Sequence, residues 1–403
     1  MSFNFLNMCA AVIQLFVFFI AAYYMCVSIF SFFPSGYKKA GDEKKSFAII
    51  IPAHNEAEVL PALLRSLFNQ TYPRGLYDVF VMADRCDDGT EELSMLYPVK
   101  ILKRTTTDYS GKGAAVGDAI DQISSLNENF DAYIIIDADN IADPRFLEEI
   151  NHKMQQGYDA VQGYIDAKNP YDSWLSYAYA VWYWISNRTF QMGFSRLGVG
   201  CKLGGTGFAL SRELLNEVNW EVKTMAEDAE YTIKLALANK KVYYAKRAIV
   251  YDEKPRNFVN SIFQRIRWSK GINQVQRDYS GRMLRGGHIN AYLRFWSDLF
   301  MPLCFILFLI IYIFATLNIA DISNVKFSLF WTYPVPYFML TIYIYGTIIM
   351  SIYGLFLDKK WDKRIVLNII GIAIYFISWI PAGLWGILSR SNRWYHTKHK
   401  KGL

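Results

Sequence analysis

A series of side chains in the middle of the chain is of the types that act on a phosphorylated substrate. They are, in chain order, Asp84, Asp137, Asp139, Glu227, Asp228, Gln264, Arg267 and Trp268. A carboxylate pair can hold a divalent cation that carries a diphosphate, and a later carboxylate can act as a general base. A cation next to an aromatic ring suits a leaving diphosphate and a sugar. The set therefore suits transfer of a sugar from a nucleotide donor.

Asp137-Ala138-Asp139 carries the clearest signal. The motif follows an apolar run at residues 133–136, which predicts a buried strand, and alternate side chains of a strand point the same way. Two unpaired carboxylates on one side would repel each other, and a hard divalent cation with substrate phosphates removes that conflict. The alternative is a solvated turn at a strand end.

Three further residues are predicted to contact a nucleotide. Glu56 and Asp84 follow the first two predicted strands, where a carboxylate can accept hydrogen bonds from a base or a ribose. Lys112 lies in a Ser-Gly-Lys-Gly segment before a predicted helix and can approach a nucleotide together with backbone amides. Each segment also fits an ordinary turn or loop, and the lysine segment lacks the spacing of a Walker A loop.

Glu227 and Asp228 open a predicted helix for which Thr224 is a candidate cap. Because acidic residues at a helix start are stabilised by the helix dipole, plain capping is the alternative to a catalytic base.

Gln264, Arg267 and Trp268 lie in an amphipathic basic segment, residues 257–276. A helix lying on a membrane surface would explain the segment. It would not explain why a planar ring stands next to a cation, which suits a sugar and a diphosphate.

The surrounding pattern predicts how these residues are positioned. From residue 46 to 252, short β-branched runs alternate with amphipathic stretches, which is typical of a parallel α/β sheet covered on both faces. Strands are predicted at residues 47–51, where Pro52 ends the strand, and at 78–83, 99–103 and 133–136. A helix with one buried stripe is predicted from Leu60, Leu63, Leu64 and Leu67. Such sheets bind ligands at the carboxyl ends of their strands.

Apolar runs at residues 8–33, 299–319, 337–357 and 365–388 predict membrane helices around this region. Of the 403 residues, 53% are hydrophobic, which is high for a soluble protein. The first run lacks a basic n-region and a cleavage site, so an uncleaved anchor is favoured over a signal peptide. The fourth has basic clusters at both ends. We expect it to be re-entrant or interfacial and broken at Pro381 and Gly383, with a fourth crossing as the alternative.

The net charge of +7 is concentrated beside the apolar runs, at residues 38–45, 359–364 and 390–401. By the positive-inside rule these clusters are cytoplasmic. Because they flank membrane runs instead of lining one folded face, no nucleic-acid partner is expected. The five cysteines are odd in number and lack metal-ligand spacing, which fits reduced thiols in a cytosolic catalytic domain.

Together the motifs resemble those of family 2 glycosyltransferases, in particular the membrane-integrated bacterial cellulose or β-glucan, hyaluronan and poly-N-acetylglucosamine synthases. The resemblance covers nearly the whole chain, and Gln264-x-x-Arg267-Trp268 is its most specific element. It implies an α/β GT-A, Rossmann-like domain with flanking transmembrane and interfacial helices, a UDP-sugar donor, and Mg²⁺ or Mn²⁺. Residues 394–399 resemble the family's gating loop, whose threonine and basic residues cover the bound diphosphate.

The predicted roles follow from the motifs and this resemblance. They are catalytic base for Asp228, metal ligand for Asp139, nucleotide or diphosphate contacts for Glu56, Asp84, Lys112, Asp137, Gln264, Arg267, Thr397 and Lys398, and acceptor contacts for Gly205, Thr206, Glu227 and Trp268. Two departures are visible. Ala226 stands where the family usually has threonine, and residues 203–207 replace the aromatic and Cys-containing acceptor motif of cellulose synthases, which weakens the case for cellulose.

We therefore expect an inverting, processive polysaccharide synthase of a bacterial plasma membrane, multi-pass with a cytoplasmic catalytic domain. UDP-glucose is the favoured donor and a β-glucan, including 1,3/1,4-linked forms, the favoured product. The alternatives are a UDP-GlcNAc-using poly-N-acetylglucosamine or hyaluronan-type synthase, a non-processive transferase to a lipid acceptor, and a non-catalytic export or binding subunit. The expected parts are a membrane helix in 1–37, the catalytic domain in 46–252, an interfacial helix in 253–290, membrane or re-entrant helices in 291–389, and a gating tail in 390–403.

Overall fold

A mixed β-sheet lies at the centre of the computed structural model, which describes residues 5–34, 41, 43–105, 111–126, 128–296 and 334–389. Its strands are β1 Phe47–Ala53, β2 Tyr77–Ala83, β3 Lys100–Lys103, β4 Ala132–Ile135, β5 Ile141–Ala142, β6 Ala160–Ala167, β7 Phe208–Ser211 and β8 Val242–Asp252. Their order in the eight-stranded sheet is β3-β2-β1-β4-β7-β6-β8-β5.

Helices cover the sheet and extend from it. They are α1 Phe5–Phe30, α2 Leu60–Phe68, α3 Thr90–Ser94, α4 Lys112–Ser125, α5 Phe146–Gln155, α6 Trp174–Ser186, α7 Met192–Arg196, α8 Arg212–Glu217, α9 Glu227–Leu237, α10 Phe258–Arg285, α11 at 289–296, α12 Pro334–Leu357, α13 Arg364–Leu367 and α14 Ile369–Leu388. A π-helical turn, Asn187–Gln191, joins α6 to α7. The predicted apolar stripe of α2 is confirmed, because all four of its leucines are fully buried.

The predicted parallel sheet is correct for one half and wrong for the other. β1 pairs in parallel with β2 and β4, and β2 with β3, but β7 runs antiparallel between β4 and β6, and β5 is antiparallel to β8. The direction of a strand depends on where its connection re-enters the sheet. An alternation of strands and helices along the sequence does not encode that point of entry.

Pro52 was expected to end β1, yet the strand continues through Ala53. The carbonyl of Ile50 accepts from Ile136 on the β4 side, whereas the carbonyl of Ala53 accepts from Asp84 on the β2 side. Pro52 therefore faces the β4 side, beyond the last β1–β4 pair at Ile50. The pairing with β4 ends before the proline, whereas the pairing with β2 continues through Ala53, so Pro52 does not end the strand.

Two expectations about helices are also wrong, one about the cap of α9 and one about a break at Pro381 and Gly383. Ala226 is the N-cap of α9 without a side-chain cap, and the Thr224 hydroxyl instead donates to the Ala226 carbonyl at 3.3 Å. α14 is a single helix that passes through Pro381 and Gly383. Proline removes one helical hydrogen bond, but the extensive packing of α14 on α10 and α6 maintains the helix across that gap.

Within the part of the chain that the structure describes fully, α14 alone is long and apolar enough to cross a membrane, with 20 residues and a mean hydropathy of 1.7. The segments Phe18–Phe30 of α1 and Tyr345–Leu357 of α12 are shorter apolar helices. The multi-pass arrangement expected from the sequence requires more than one such helix. The predicted run at 299–319 and the predicted gating tail at 390–403, with Thr397 and Lys398, lie outside the described residues.

Candidate active site

The two predicted motif aspartates follow β4 at the carboxyl edge of the sheet, and a polar network holds them. Thr206 Oγ1 accepts from the backbone N–H of Asp137 at 3.0 Å and donates to Asn140 Oδ1 at 2.5 Å. Asn140 Nδ2 in turn donates to Asp139 Oδ1 at 3.2 Å and to Asp252 Oδ1 at 2.9 Å. Thr206 is buried, so the structure places this predicted acceptor contact beneath the motif, where it supports the aspartates.

The charges around Asp139 fit a divalent cation. Burial raises the pKa of Asp139 well above its ordinary value, and the carboxylates of Asp252, Asp137 and Glu253 raise it further. A cation at this edge would relieve the repulsion, and carboxylate oxygens are the ligands that Mg²⁺ and Mn²⁺ prefer. No complete site of three acidic, histidine or cysteine ligands exists among the described residues. The protein would therefore supply one or two carboxylates, with Asp139 and Asp252 the best placed, and substrate phosphates would supply further ligands.

Lys112 connects the motif aspartates to the start of α9. Its Nζ lies 2.5 Å from Asp137 Oδ1, 2.6 Å from the Gly205 carbonyl and 3.6 Å from Glu227 Oε1. Burial lowers the pKa of Lys112, but the carboxylates of Asp137 and Glu227 outweigh burial, so the pKa is raised overall. The ammonium is thus charged and lies between the motif aspartates and the first turn of α9.

Asp228, the predicted base, lies in the first turn of α9. Its Oδ1 accepts from the N–H of Ala229 at 2.7 Å, and burial raises its pKa. Gly205 faces the other oxygen: a Cβ on this glycine would lie 3.5 Å from Asp228 Oδ2 and 3.8 Å from Lys112 Nζ. The absence of a side chain at Gly205 leaves room beside Oδ2, and a carboxylate with a raised pKa is a better proton acceptor at neutral pH.

Asp84 lies at the same edge of the sheet as predicted, and its carboxylate is held by two guanidinium groups. Arg104 Nη1 lies 2.9 Å from Asp84 Oδ2, and Arg85 Nε lies 2.8 Å from Oδ1. Glu56 begins the turn beside it, where its N–H donates to Thr90 Oγ1 at 2.9 Å. Arg104 was not predicted, although a basic residue directly after β3 meets the strand-end rule that selected Asp84.

α10 brings the glutamine, arginine and tryptophan motif to the acids. Gly271 lies against α9, since a Cβ on it would come within 2.7 Å of Ala226 Cβ. One turn earlier, the guanidinium of Arg267 makes no ion pair or side-chain hydrogen bond with any described residue. Burial raises the pKa of Glu227, and the charge of Arg267 partly offsets that rise. Arg267 is therefore available to an anionic ligand next to the acids.

The rest of the motif faces α6 and α14. Gln264 Oε1 accepts from the hydroxyl of Tyr179 at 3.4 Å. The ring of Trp268 stacks on Trp379 of α14, with centroids 6.1 Å apart and planes inclined by 27°. Because Trp379 belongs to a different helix, the sequence motif alone could not reveal this partner.

Residues outside the predicted set complete the acidic site. Asp252, at the end of β8, is bound by Lys254 Nζ at 2.6 Å, and that ammonium lies 3.4 Å from the ring centroid of Tyr183. Burial raises the pKa of Tyr183, and the charges of Asp252, Asp228 and Asp137 raise it further. The strand-end position of Asp252 was a usable signal, but Tyr183 on α6 had none.

Comparison with known proteins identifies the family. The family model described as "Glycosyltransferase like family 2" matches residues 44–271. The chain belongs to glycosyltransferase family 2. It is 23% identical over 364 residues to the poly-beta-1,6-N-acetyl-D-glucosamine synthase of Staphylococcus epidermidis, covering 87% of this chain and 82% of that protein. It is 26% identical over 268 residues to the beta-monoglucosyldiacylglycerol synthase of Trichormus variabilis, covering 62% of this chain and 54% of that protein.

Among solved structures, this glycosyltransferase resembles the mannosyltransferase PcManGT from Pyrobaculum calidifontis, in complex with GDP-Man and Mn²⁺. The TM-score is 0.55 at 16% identity, covering 94% of this chain and 99% of that one. The predicted family, the GT-A-like α/β fold and the prediction of an enzyme are confirmed.

Proposed function

We propose that this glycosyltransferase is an inverting, processive polysaccharide synthase that uses a UDP-hexose donor. The observation that carries the proposal is the placement of Asp228 Oδ2 beside the open position at Gly205, with Lys112 and the motif aspartates on the same side. A base, a cation and a carboxylate pair thus surround one space. That is what direct displacement of a nucleoside diphosphate by a sugar hydroxyl requires.

Asp228 accepts the proton of an acceptor hydroxyl as the oxygen attacks the anomeric carbon. A C–O bond forms on one face while the bond to the UDP oxygen breaks on the other, so configuration inverts and UDP leaves with its electron pair. Lys112 and Arg267 are placed to stabilise the charge that develops on the diphosphate. Asp139, with Asp252, would hold Mg²⁺ or Mn²⁺, which supplies further positive charge to the diphosphate when bound.

The acceptor is proposed to lie on Trp268. Stacking on Trp379 fixes the orientation of the Trp268 ring, and a flat aromatic face suits the C–H face of a sugar. α14, which carries Trp379, is also the helix that is long and apolar enough to cross a membrane. A growing polymer held at Trp268 would therefore lie next to the membrane segment, which supports processive elongation.

The donor sugar has two candidates. UDP-glucose follows from the overall resemblance to β-glucan synthases. UDP-GlcNAc is supported by the poly-beta-1,6-N-acetyl-D-glucosamine synthase relative, whose alignment covers 87% of this chain at 23% identity. A lipid acceptor with single sugar transfer is supported by the glucosyldiacylglycerol synthase relative, over 62% of the chain.

The test is to offer the purified, detergent-solubilised protein each UDP-sugar with Mg²⁺ or Mn²⁺, with and without diacylglycerol, and to measure UDP release and product length. A polymer sensitive to a β-glucanase or a β-hexosaminidase identifies the donor and linkage. A product of one sugar on lipid would contradict processivity. Absence of UDP release above an Asp228→Asn control with every donor would refute the enzymatic proposal.

The membrane placement is proposed from the sequence and α14 together. We propose a multi-pass protein of a bacterial plasma membrane with the catalytic domain in the cytoplasm, and a tail in which Thr397 and Lys398 close over the diphosphate. A cysteine introduced at Thr397 should react with an impermeant maleimide only from the cytoplasmic side. Labelling from outside intact cells would contradict both the topology and the role of the tail.

A further inference from the structure

The chain reverses direction tightly after α12. Lys359 adopts a left-handed conformation with φ of 55°, and the N–H of Lys360 bonds the carbonyl of Leu355 at 2.8 Å. The rings of Phe356 and Trp361 stack across the reversal with centroids 4.7 Å apart. The hydrogen bond, together with that from the Lys359 N–H to the Phe356 carbonyl at 3.1 Å, is that of a Schellman-type helix end. Residues 358–362, named the docking turn here, are therefore held in one conformation.

The first charged residue of the docking turn enters the catalytic domain. Asp358 Oδ1 lies 2.9 Å from Arg188 Nη1 in the π-helical turn and 2.5 Å from Lys246 Nζ in β8, and the Asp358 side chain is only 5% exposed. Gly354 permits the approach of α12, because a Cβ there would lie 3.0 Å from Arg188 Cγ. A buried carboxylate between two cations is a specific contact, unlike a solvated surface pair.

Lys360 of the docking turn also forms an ion pair with a buried residue of the catalytic domain. Lys360 Nζ lies 2.6 Å from Asp166 Oδ2 in β6, and the Asp166 side chain is 6% exposed. Asp166 Oδ1 accepts from Trp184 Nε1 at 2.6 Å, and Lys360 Nζ lies 5.2 Å from the centroid of the same indole. Lys360, counted in the sequence among the charges that orient the protein in a membrane, thus binds one specific carboxylate.

Both contacts hold elements that build the candidate active site. Asp166 precedes Ala167, the β-sheet partner of Asp252. Trp184 follows Tyr183 on α6, and the ring of Tyr183 lies against the ammonium of Lys254, which binds Asp252. The docking turn also leads into α13 and α14, and α14 packs on both α6 and α10. One short segment therefore grips the sheet and α6 while it begins the helix that carries Trp379.

We propose that the docking turn is an ionic latch that positions α14 on α6 and α10 and so keeps Trp379 stacked on Trp268. The functional part of this inference rests on the proposed role of Trp268 in acceptor binding. Asp358 and Lys360 are positioning residues, because neither touches the reacting atoms. Loss of the latch lets α14 shift, so the acceptor is held less often, while the donor remains in place and is hydrolysed by water to the free sugar and UDP.

The first test compares transfer with donor hydrolysis in the full-length protein. Lys360→Met should lower sugar transfer about tenfold, which is about 1.4 kcal/mol in the barrier, while donor hydrolysis changes less than about twofold. Lys360→Arg should restore transfer. Lys363→Met is the matched control, because Lys363 directly follows the docking turn, is exposed, and its side chain does not cap α13. Equal losses of transfer and hydrolysis in Lys360→Met, or the same loss in Lys363→Met, would overturn the proposal.

The second test does not depend on activity. Thermal unfolding of Asp166→Asn, Lys360→Met and the double variant forms a cycle, and a latch predicts that the double variant is no less stable than the worse single variant. Additive losses of stability would show that Asp166 and Lys360 do not interact and would overturn the proposal. If Lys360→Met does not fold, Lys246→Met removes one of two cations around Asp358 and should give a smaller loss of transfer in the same direction.

The position of α14 can be measured directly. Cysteines replacing Ser269 of α10 and Gly383 of α14 should form a disulfide, because a Cβ on Gly383 would lie 3.9 Å from Ser269 Oγ. The disulfide should form more slowly with Lys360→Met. An unchanged rate would refute the latch. The two failures are distinguishable. If disulfide formation is slower with Lys360→Met but the native protein transfers no sugar from any UDP donor, the latch stands and the proposed function is refuted.

Discussion

Asp228→Asn isolates the role of the proposed base with little change in shape. The asparagine oxygen can still accept from the N–H of Ala229, now 2.7 Å from Oδ1, so α9 should begin as before. What is lost is the proton acceptor beside Gly205. Loss of a general base costs about 10²- to 10⁴-fold in rate, which is about 3 to 5 kcal/mol in the barrier. UDP affinity should change little, because the proposed diphosphate site is formed by other residues, namely Lys112, Arg267 and the motif aspartates.

Stability should not fall in this variant, and the sign follows from the raised pKa. Burial raises the pKa of Asp228 above its ordinary value of 3.8 in the folded protein. The folded state therefore binds more protons than the unfolded state between these two pKa values, and the carboxylate destabilises the fold as pH rises through them. At neutral pH, Asp228→Asn removes that cost, so the unfolding temperature should be unchanged or higher. Inactivity from misfolding is thereby separated from inactivity from a missing base.

The pH profile gives a second measurement of the same group. Wild-type kcat/KM should fall as pH drops through the raised pKa of Asp228. The acid limb of the pH profile should therefore lie at a higher pH than an ordinary aspartate would give. Because Asp228 is close to Glu227 and Lys112, the limb belongs to the interacting group and not to one residue. The assays are UDP release across pH and calorimetry with UDP. Turnover of Asp228→Asn within a few-fold of wild type, or a matching loss of UDP affinity, would falsify the assignment of the base.

Further predictions concern the metal, the acceptor and the glycine beside the base. Asp139→Ala should abolish the dependence of UDP affinity on Mn²⁺, because the cation would join this carboxylate to the phosphates; calorimetry showing unchanged metal dependence would indicate a solvated turn. Trp268→Ala should reduce elongation more than donor hydrolysis, and equal losses would indicate that the ring only packs against Trp379. Gly205→Ala should cost about 1–2 kcal/mol in stability, because φ is 84°. Gly205→Ala should also lower kcat by a larger factor than it lowers the affinity for the donor. Activity equal to wild type would exclude an acceptor hydroxyl beside Asp228 Oδ2.

The local sequence determined much of the catalytic edge. β-branched runs bounded by polar residues predicted β1 to β4 to within two residues at each end, and the spacing of the α2 leucines predicted its buried face. The motif acids lie at the carboxyl edge because parallel strands present their carboxyl ends together. Pro52 and the α9 cap were misjudged for a common reason. A residue's tolerance in a strand or a helix end depends on which backbone groups already have partners, and tertiary structure sets those partners.

The sequence by itself determined the family, the strand-end acids and the tryptophan motif, because each is written in neighbouring residues whose types and spacing carry the chemistry. Only the tertiary structure decided that β7 runs antiparallel, that Asp252, Tyr183 and Lys254 join the acids, and that Trp268 stacks on Trp379. It also decided that Lys360 meets Asp166, 194 positions earlier in the chain. Pairs so far apart in sequence are brought together by the packing of separate elements, and no local pattern encodes which distant surface a side chain will meet.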